Sequence, residues 1–345
     1  MNLYLAVLYC VTQLAAAKFS FKSCSFNEIC VDVRSCPSYK RYADTDFRSW
    51  PMDVRSKARE DLCYHEKIGN ATVLSVCCST VMNSANCGKH EDDRISKGRA
   101  AEPFSYPWMV LLRNATGGFV CGGTLISPRY VLTAAHCTKY GSIVSVRLGE
   151  NDISKDEDCI VRADERDCTP PPQDIVVDRE IRHPGYSNRH KINDITLLRL
   201  EHSATLGDSV RTICLPNATL HERMVQPSSY IVSGWGLTEN GTSFDVLRYA
   251  EVPSVSPENC SVSLRNLHSS FRMDESHICA GGVDQVDNCA GDSGGPLQYV
   301  ADLSSQFVQQ GIVSFGVRSC GVQSEPGVYT KVRNFISWIV EHVDE

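Results

Sequence analysis

Two short stretches of this chain hold residues whose types and spacing could do chemistry. One is Leu132-Thr133-Ala134-Ala135-His136-Cys137 and the other is Gly291-Asp292-Ser293-Gly294-Gly295-Pro296. A serine hydroxyl is a poor nucleophile at neutral pH unless a neighbouring base removes its proton as it attacks. The glycines around Ser293 let the backbone turn tightly and bring N–H groups up to a substrate carbonyl. The base also needs a third group that fixes its tautomer and stabilises the imidazolium formed during attack. Asp194, in Asn193-Asp194-Ile195-Thr196-Leu197-Leu198, leads into an apolar strand and is placed to be buried beside the histidine. Taken alone, it reads equally well as a solvated strand-end aspartate. His136 and Ser293 predict attack on a substrate carbonyl by Ser293 with His136 as base, and Asp194 is the best candidate for the group that orients it.

The elements that must position these groups are short. From Ile95 onward, apolar runs at 108–112, 119–126, 143–148, 195–200, 230–233 and 308–315 alternate with Gly, Pro and Asn turns. That pattern predicts a β-barrel or sandwich. Near the C-terminus, Asn334 is expected to cap a helix whose Phe335, Trp338 and Ile339 share one face. There is no internal repeat and no low-complexity tract.

The ends and the cysteines bound the setting. Residues 3–17 are an apolar run closing on Ala15-Ala16-Ala17, which predicts a signal peptide over 1–17 and a mature chain from Lys18. The run is shorter than the ~20 residues a membrane span needs, so a secreted, extracellular protein is expected and no membrane partner. Of 17 cysteines, Cys10 leaves with the signal, and the even remainder suits disulfides in an oxidising compartment. Zinc spacings are absent. Asn70, Asn114, Asn217, Asn240 and Asn259 head glycosylation sequons. Residues 18–94 carry 12 basic and 11 acidic side chains and 95–345 carry 22 and 30, making +1 and −8 of the net −7, which argues against nucleic acid as a partner.

Six cysteines fall within 24–78, a module too small to bury much apolar surface, where disulfides worth about 2–4 kcal/mol each would hold the chain. The spacing leaves their fifteen connectivities open, although adjacent Cys77 and Cys78 should reach different partners. Residues 79–94 read as a linker and activation segment in which Cys87 stands alone.

Residues 95–345 resemble the chymotrypsin-like serine proteases through the Ala-Ala-His-Cys and Gly-Asp-Ser-Gly-Gly-Pro motifs. The resemblance implies an all-β fold of two six-stranded antiparallel β-barrels with a C-terminal helix, and a site between the barrels. It implies an oxyanion hole from the N–H groups of Gly291 and Ser293, and catalysis without a cofactor. It pairs Cys121 with Cys137, Cys260 with Cys279 and Cys289 with Cys320, leaving Cys159 and Cys168 to bond within an acidic, proline-bounded loop. Asp287, six residues before Ser293, matches the floor of the family's specificity pocket, and Gly316 and Gly327 match its walls. A buried carboxylate there favours a cationic tip by about 2–5 kcal/mol, so cleavage after Arg or Lys is expected. Phe315 stands where the family usually has Trp.

The same family implies a zymogen. A cut between Arg94 and Ile95 would free an ammonium to pair with Asp292, and a buried pair worth about 3–5 kcal/mol could order the pocket. Arg99-Ala100 is a rival site. In two-chain members a propeptide cysteine bonds the catalytic domain, which matches Cys87 to Cys214.

Residues 18–78 resemble the clip domain of arthropod proteases through the six-cysteine spacing and the terminal Cys77-Cys78 pair. That resemblance implies Cys24–Cys77, Cys30–Cys63 and Cys36–Cys78. It implies a haemolymph cascade enzyme of innate immunity and melanization, acting on prophenoloxidase, a Spätzle-like precursor or a downstream protease zymogen. An upstream protease would activate it and serpins would inhibit it. A structural Ca²⁺ is expected on Glu150, Asp152 and Asp158 with the backbone carbonyl near Lys155, against the plainer reading of a solvated acidic loop. A non-catalytic clip-domain cofactor would lack Ser293, and a digestive trypsin would have no use for residues 18–94.

Overall fold

The computed structural model describes residues 22–25, 27–68, 71–80, 82–90, 99–139, 141–162, 165–216, 227–236, 244–264, 273–282, 292–301, 305–316 and 325–343. At the N-terminal end, strands β1 (Glu28–Asp32), β2 (Leu62–Ile68) and β3 (Ala71–Ser79) form an antiparallel sheet in the order β1-β3-β2, with helix α1 (Met52–Glu60) between the first two in sequence. Regular structure therefore occupies a segment whose sequence shows little periodicity. Three disulfides join it: Cys24–Cys77, Cys30–Cys63 and Cys36–Cys78. Successive residues of a strand point to opposite faces, which sends the neighbours Cys77 and Cys78 of β3 to different partners.

The rest is built from strands β4 (Arg99–Ala100), β5 (Met109–Asn114), β6 (Phe119–Ser127), β7 (Tyr130–Thr133), β8 (Ile143–Leu148), β9 (Cys159–Arg162), β10 (Glu165–Cys168), β11 (Gln173–Arg182), β12 (Thr196–Leu200), β13 (Ser229–Gly234), β14 (Arg248–Val255), β15 (His277–Ala280), β16 (Pro296–Ala301), β17 (Gln306–Phe315) and β18 (Gly327–Lys331). A first barrel closes in the order β11-β12-β7-β6-β5-β8, because β8 also pairs with β11. A second closes through β13-β16-β17-β18-β15-β14, because β13 pairs with β14 as well as β16. Two closed six-stranded antiparallel barrels are what the resemblance implies. Closure leaves no sheet edge within either ring. A buried side-chain bridge joins the residue just before β5 to the second barrel: the Trp108 indole donates to Gln298 Oε1 at 2.8 Å, and the Gln298 amide donates to Ser233 Oγ at 3.1 Å.

The chain ends in a 3₁₀ turn (Val332–Phe335) running into helix α3 (Ile336–His342). The expected cap at Asn334 is not made. The turn places Phe335 at the helix N-cap, and the Asn334 amide instead donates to the Glu275 carbonyl at 3.0 Å. Ile336, Ile339 and Val340 of α3 are buried, and the helix packs against β1, so Ile29, Val31, Phe335 and Ile339 share one apolar cluster.

The linker is fastened to the barrels. Cys87 bonds Cys214, Gly88 N–H donates to the Thr212 carbonyl, and Phe307 N–H donates to the Gly88 carbonyl, each of these hydrogen bonds 2.8 Å long. Gly88 has φ +64°, and a Cβ there would lie 2.2 Å from the Phe307 oxygen, so the close approach requires glycine. Buried Asn83 pairs with the backbone of Leu215 in both directions, at 3.0 and 2.7 Å.

Candidate active site

His136 sits in a 3₁₀ turn (Ala135–Thr138) immediately after β7, and Asp194 lies just before β12, the strand paired with β7. Pairing of Thr133 with Thr196 therefore brings the two side chains to the same end of the barrel. His136 N–H donates to Asp194 Oδ1 at 2.8 Å, and His136 Nδ1 lies 2.8 Å from Asp194 Oδ2. With the proton on Nδ1 donated to the carboxylate, Nε2 is left to accept a proton. Asp194 is only 3% exposed. Burial pushes its carboxyl up, but the hydrogen bonds from His136 and Ser314 outweigh it and hold the group below the usual carboxylate range.

Ser314 is the residue that the sequence reading passed over. Its hydroxyl donates to Asp194 Oδ2 at 2.5 Å, and Thr330 Oγ1 donates to the Asp194 carbonyl at 2.9 Å. Both come from the second barrel, so the aspartate of the first is held across the cleft. Ser314 carries no motif of its own and lies 120 residues away. The only sequence signal was its place beside Phe315 and the proposed pocket wall.

Ser293 lies in a turn closed by Gly295 N–H on the Asp292 carbonyl at 2.8 Å. Its own carbonyl accepts from Gly122 N–H at 2.8 Å, and the next N–H, of Gly294, donates to Val313 at 2.9 Å. Gly294 has φ +82°, and a Cβ there would lie 2.2 Å from Thr133 Oγ1 and 2.5 Å from the Gly122 carbonyl oxygen. Cys137, bonded to Cys121, places its sulfur 3.9 Å from His136 Nε2 and 3.7 Å from the Ser293 carbonyl oxygen. The imidazole and the serine turn thus flank one disulfide. The arrangement can deprotonate a hydroxyl and hold the resulting imidazolium against a buried carboxylate.

Of the remaining candidates, Gly327 opens β18 and is buried, and half-buried Gly316 directly follows β17. Asp292 Oδ1 accepts from Gly236 N–H at 2.9 Å, and Cβ atoms at Gly234 or Gly236 would meet its carboxylate. Cys159–Cys168 and Cys260–Cys279 are formed. Asn114 caps its own turn by accepting from Thr116 and Gly118, and Asn259 is exposed on helix α2 (Pro257–Leu264). Asp287, Gly291, Cys289, Cys320, Arg94, Ile95, Asn70, Asn217, Asn240 and the segment read as a signal lie outside the described residues.

The acidic loop fits a hard cation only in part. Glu150 and Asp158 are buried. Burial, then the nearby charge of Asp158, raises the Glu150 carboxyl above its ordinary value despite Arg147 at 3.3 Å. Asp158 Oδ2 accepts from Asn151 and Asp152 N–H. Asp152, expected as a ligand, is instead committed to Ser154 and to the Lys155 ammonium at 2.5 Å. Among the described residues, the clusters of three side chains in ligating reach all contain disulfide-bonded cysteines.

A family model described as Trypsin matches residues 95–339. Two barrels, a His–Asp pair between them and a glycine-flanked serine define a serine endopeptidase, and the chain belongs to the trypsin family. Its relatives include the serine protease grass of Drosophila melanogaster, 41% identical over 74% of this chain and 69% of that protein. Phenoloxidase-activating factor 3 of Holotrichia diomphalia is 37% identical over 91% of this chain and 90% of its own. The CLIP domain-containing serine protease HP8 of Bombyx mori is 40% identical over 83% and 79%. The crystal structure of the Drosophila Grass clip serine protease of the Toll pathway superposes with a TM-score of 0.69 at 34% identity, covering 93% of this chain and 97% of that one.

Proposed function

We propose that this chain is the secreted zymogen of a trypsin-like endopeptidase that cuts after Arg or Lys in an extracellular proteolytic cascade. Ser293 is the nucleophile, His136 the general base and Asp194 its orienting partner, with Gly291 and Ser293 N–H groups stabilising the oxyanion and Asp287 taking the basic side chain. The carrying observation is the Cys87–Cys214 bond, which spans the segment holding Arg94-Ile95. A cut there leaves the N-terminal disulfide module attached, an arrangement that suits a cascade enzyme better than a digestive one. The rival cut is disfavoured: the Arg99–Ala100 peptide is paired with Arg248 and Tyr249 of β14, and Ala101 N–H donates to Leu247. A protease needs its substrate strand free to pair with its own cleft.

Relatives named for phenoloxidase activation, melanization and the Toll pathway support substrates of that kind: prophenoloxidase, a Spätzle-like precursor or another protease zymogen. Loop 150–158 takes calcium through Glu150 and Asp158, with Asp152 standing apart. Among the described residues no helix is long and apolar enough to cross a membrane. The test is to cut the purified full-length chain after Arg94 and incubate it with each candidate precursor. Conversion of at least one at a basic residue is expected. Hydrolysis of small Arg substrates with no precursor converted would contradict the cascade role.

A further inference from the structure

The turn that carries the base is held from two sides, and Asp194 accounts for one of them. His136 lies inside the 3₁₀ turn Ala135–Thr138, and so short a turn leaves its last carbonyls without partners of their own. Arg182, the last residue of β11, supplies donors there. Its Nη2 donates to the Thr138 carbonyl at 2.9 Å, and its Nε and Nη2 donate to Thr138 Oγ1 at 3.1 and 2.9 Å. The Thr138 hydroxyl gives its one proton to the Ala135 carbonyl at 3.0 Å, which leaves its lone pairs for the guanidinium. The bonds from Arg182 to Thr138 and from Thr138 to Ala135 therefore close the turn across His136.

Register explains the reach. Arg182 pairs with Thr196 of β12, and Thr196 pairs with Thr133 of β7, so one row across three strands ends at the arginine. Asp194 lies two residues before Thr196, and His136 three residues after Thr133. Thr133 Oγ1 donates to the Gly122 carbonyl at 2.8 Å, and Gly122 N–H in turn holds the Ser293 carbonyl. Glu180, on the same face of β11, accepts from Arg182 Nη2 at 2.7 Å and fixes the guanidinium. Thr138 is buried, whereas the Arg182 side chain is 39% exposed. Replacing the arginine can thus loosen the turn without opening the core of the barrel.

We propose that Arg182 is a positioning residue for catalysis: bound to Thr138, it holds the His136 turn so that the imidazole keeps its place against Asp194 and toward Ser293. The proposal rests on the assignment of His136 as the general base. The full-length chain, cut after Arg94, is assayed on the best-cut of matched peptides ending in Arg, Leu or Phe, so the result does not depend on which residue the pocket prefers. Arg182→Met keeps the apolar stem and removes the donors. It should lower kcat by about tenfold and change KM by less than about twofold, because a small misplacement of the base is felt in the transition state. Thr138→Val removes the receiving hydroxyl and should do the same, an independent route if Arg182→Met does not fold. A lysine ammonium reaches the carbonyl but lacks the planar fork that spans carbonyl and hydroxyl, so Arg182→Lys should recover part of the loss. Arg179→Met, exposed on the same strand, should match wild type. With Asp194→Asn already present, Arg182→Met should cost less than about twofold more, the non-additivity of groups that act as a unit. Wild-type kcat in Arg182→Met or Thr138→Val, an equal loss in Arg179→Met, or the same tenfold loss in both backgrounds would overturn the proposal. Full activity in His136→Ala would remove the assignment of the base, and this proposal with it.

Discussion

At Asp194, burial and hydrogen bonding pull in opposite directions, and hydrogen bonding wins. Two bonds from His136 and one from Ser314 hold the group ionised and fix the imidazole with Nδ1 protonated. Asp194→Asn should keep the shape but favour the wrong tautomer, lowering kcat by about 10⁴, which is the size of loss this change causes in the same constellation elsewhere. Steady-state kinetics on an Arg peptide would measure it. Ser314→Ala removes one of the three bonds and should cost less, with the pH dependence of kcat/KM shifting as the His136–Asp194 pair loosens. His136, Asp194 and Ser293 were legible because two of them sit in motifs whose neighbours are themselves required. Gly294, for instance, is needed for its φ of +82° and its contact with Thr133. Ser314 was barely legible. Its role arises from approach between the two barrels, and its place beside Phe315 and the proposed pocket wall is the one trace of it in the sequence.

Among the elements, the strands carrying apolar runs were the readable ones. The run 143–148 coincides with β8, and 195–200 with β12 to within a residue. Strand β11 is largely exposed and polar, with only Ile175 of its ten residues buried, so its sequence gives little alternation to read. In the N-terminal sheet, Asp61 closes α1 and accepts from Tyr39, Lys57 and Lys22. Burial pushes its carboxyl up, and these bonds bring it below the ordinary value. Such a group stabilises the fold fully above its unfolded pKa, near 3.9, and loses that contribution as pH falls through the lower folded value. Asp61→Asn should therefore cost about 2 kcal/mol at pH 7, and the gap in melting temperature should narrow below pH ~4. Glu150 runs the other way. Its raised carboxyl means that ionisation opposes folding as pH rises through the raised value, and a bound cation would relieve this. Calcium should raise the melting temperature at pH 7, and Glu150→Gln should abolish the response. An unchanged melt with calcium or chelator would sink that assignment.

For the whole molecule, the resemblance carried in the cysteine spacing was the most informative part of the N-terminal region, and spacing alone left the pairings open. What it did not disclose is that the linker docks by more than its disulfide, through Asn83 on Leu215, Gly88 on Thr212 and Phe307, and the Gln306 amide on the Cys87 carbonyl at 2.9 Å. With Cys87 and Cys214 both changed to serine, the N-terminal piece of the cut protein should still co-elute with the barrels on gel filtration. Adding Asn83→Ala should release it. The central claim is that one cut after Arg94 turns this chain into an Arg-directed serine endopeptidase. It is tested by kcat/KM on matched peptides ending in Arg, Leu or Phe, before and after that cut, for wild type and Ser293→Ala. The predicted result is activity that appears only with Ile95 as the new N-terminus, favours Arg by tens- to thousands-fold and falls on the order of 10⁶ in Ser293→Ala. Equal activity in the uncut chain, a preference for Leu or Phe, or an active Ser293→Ala would contradict it.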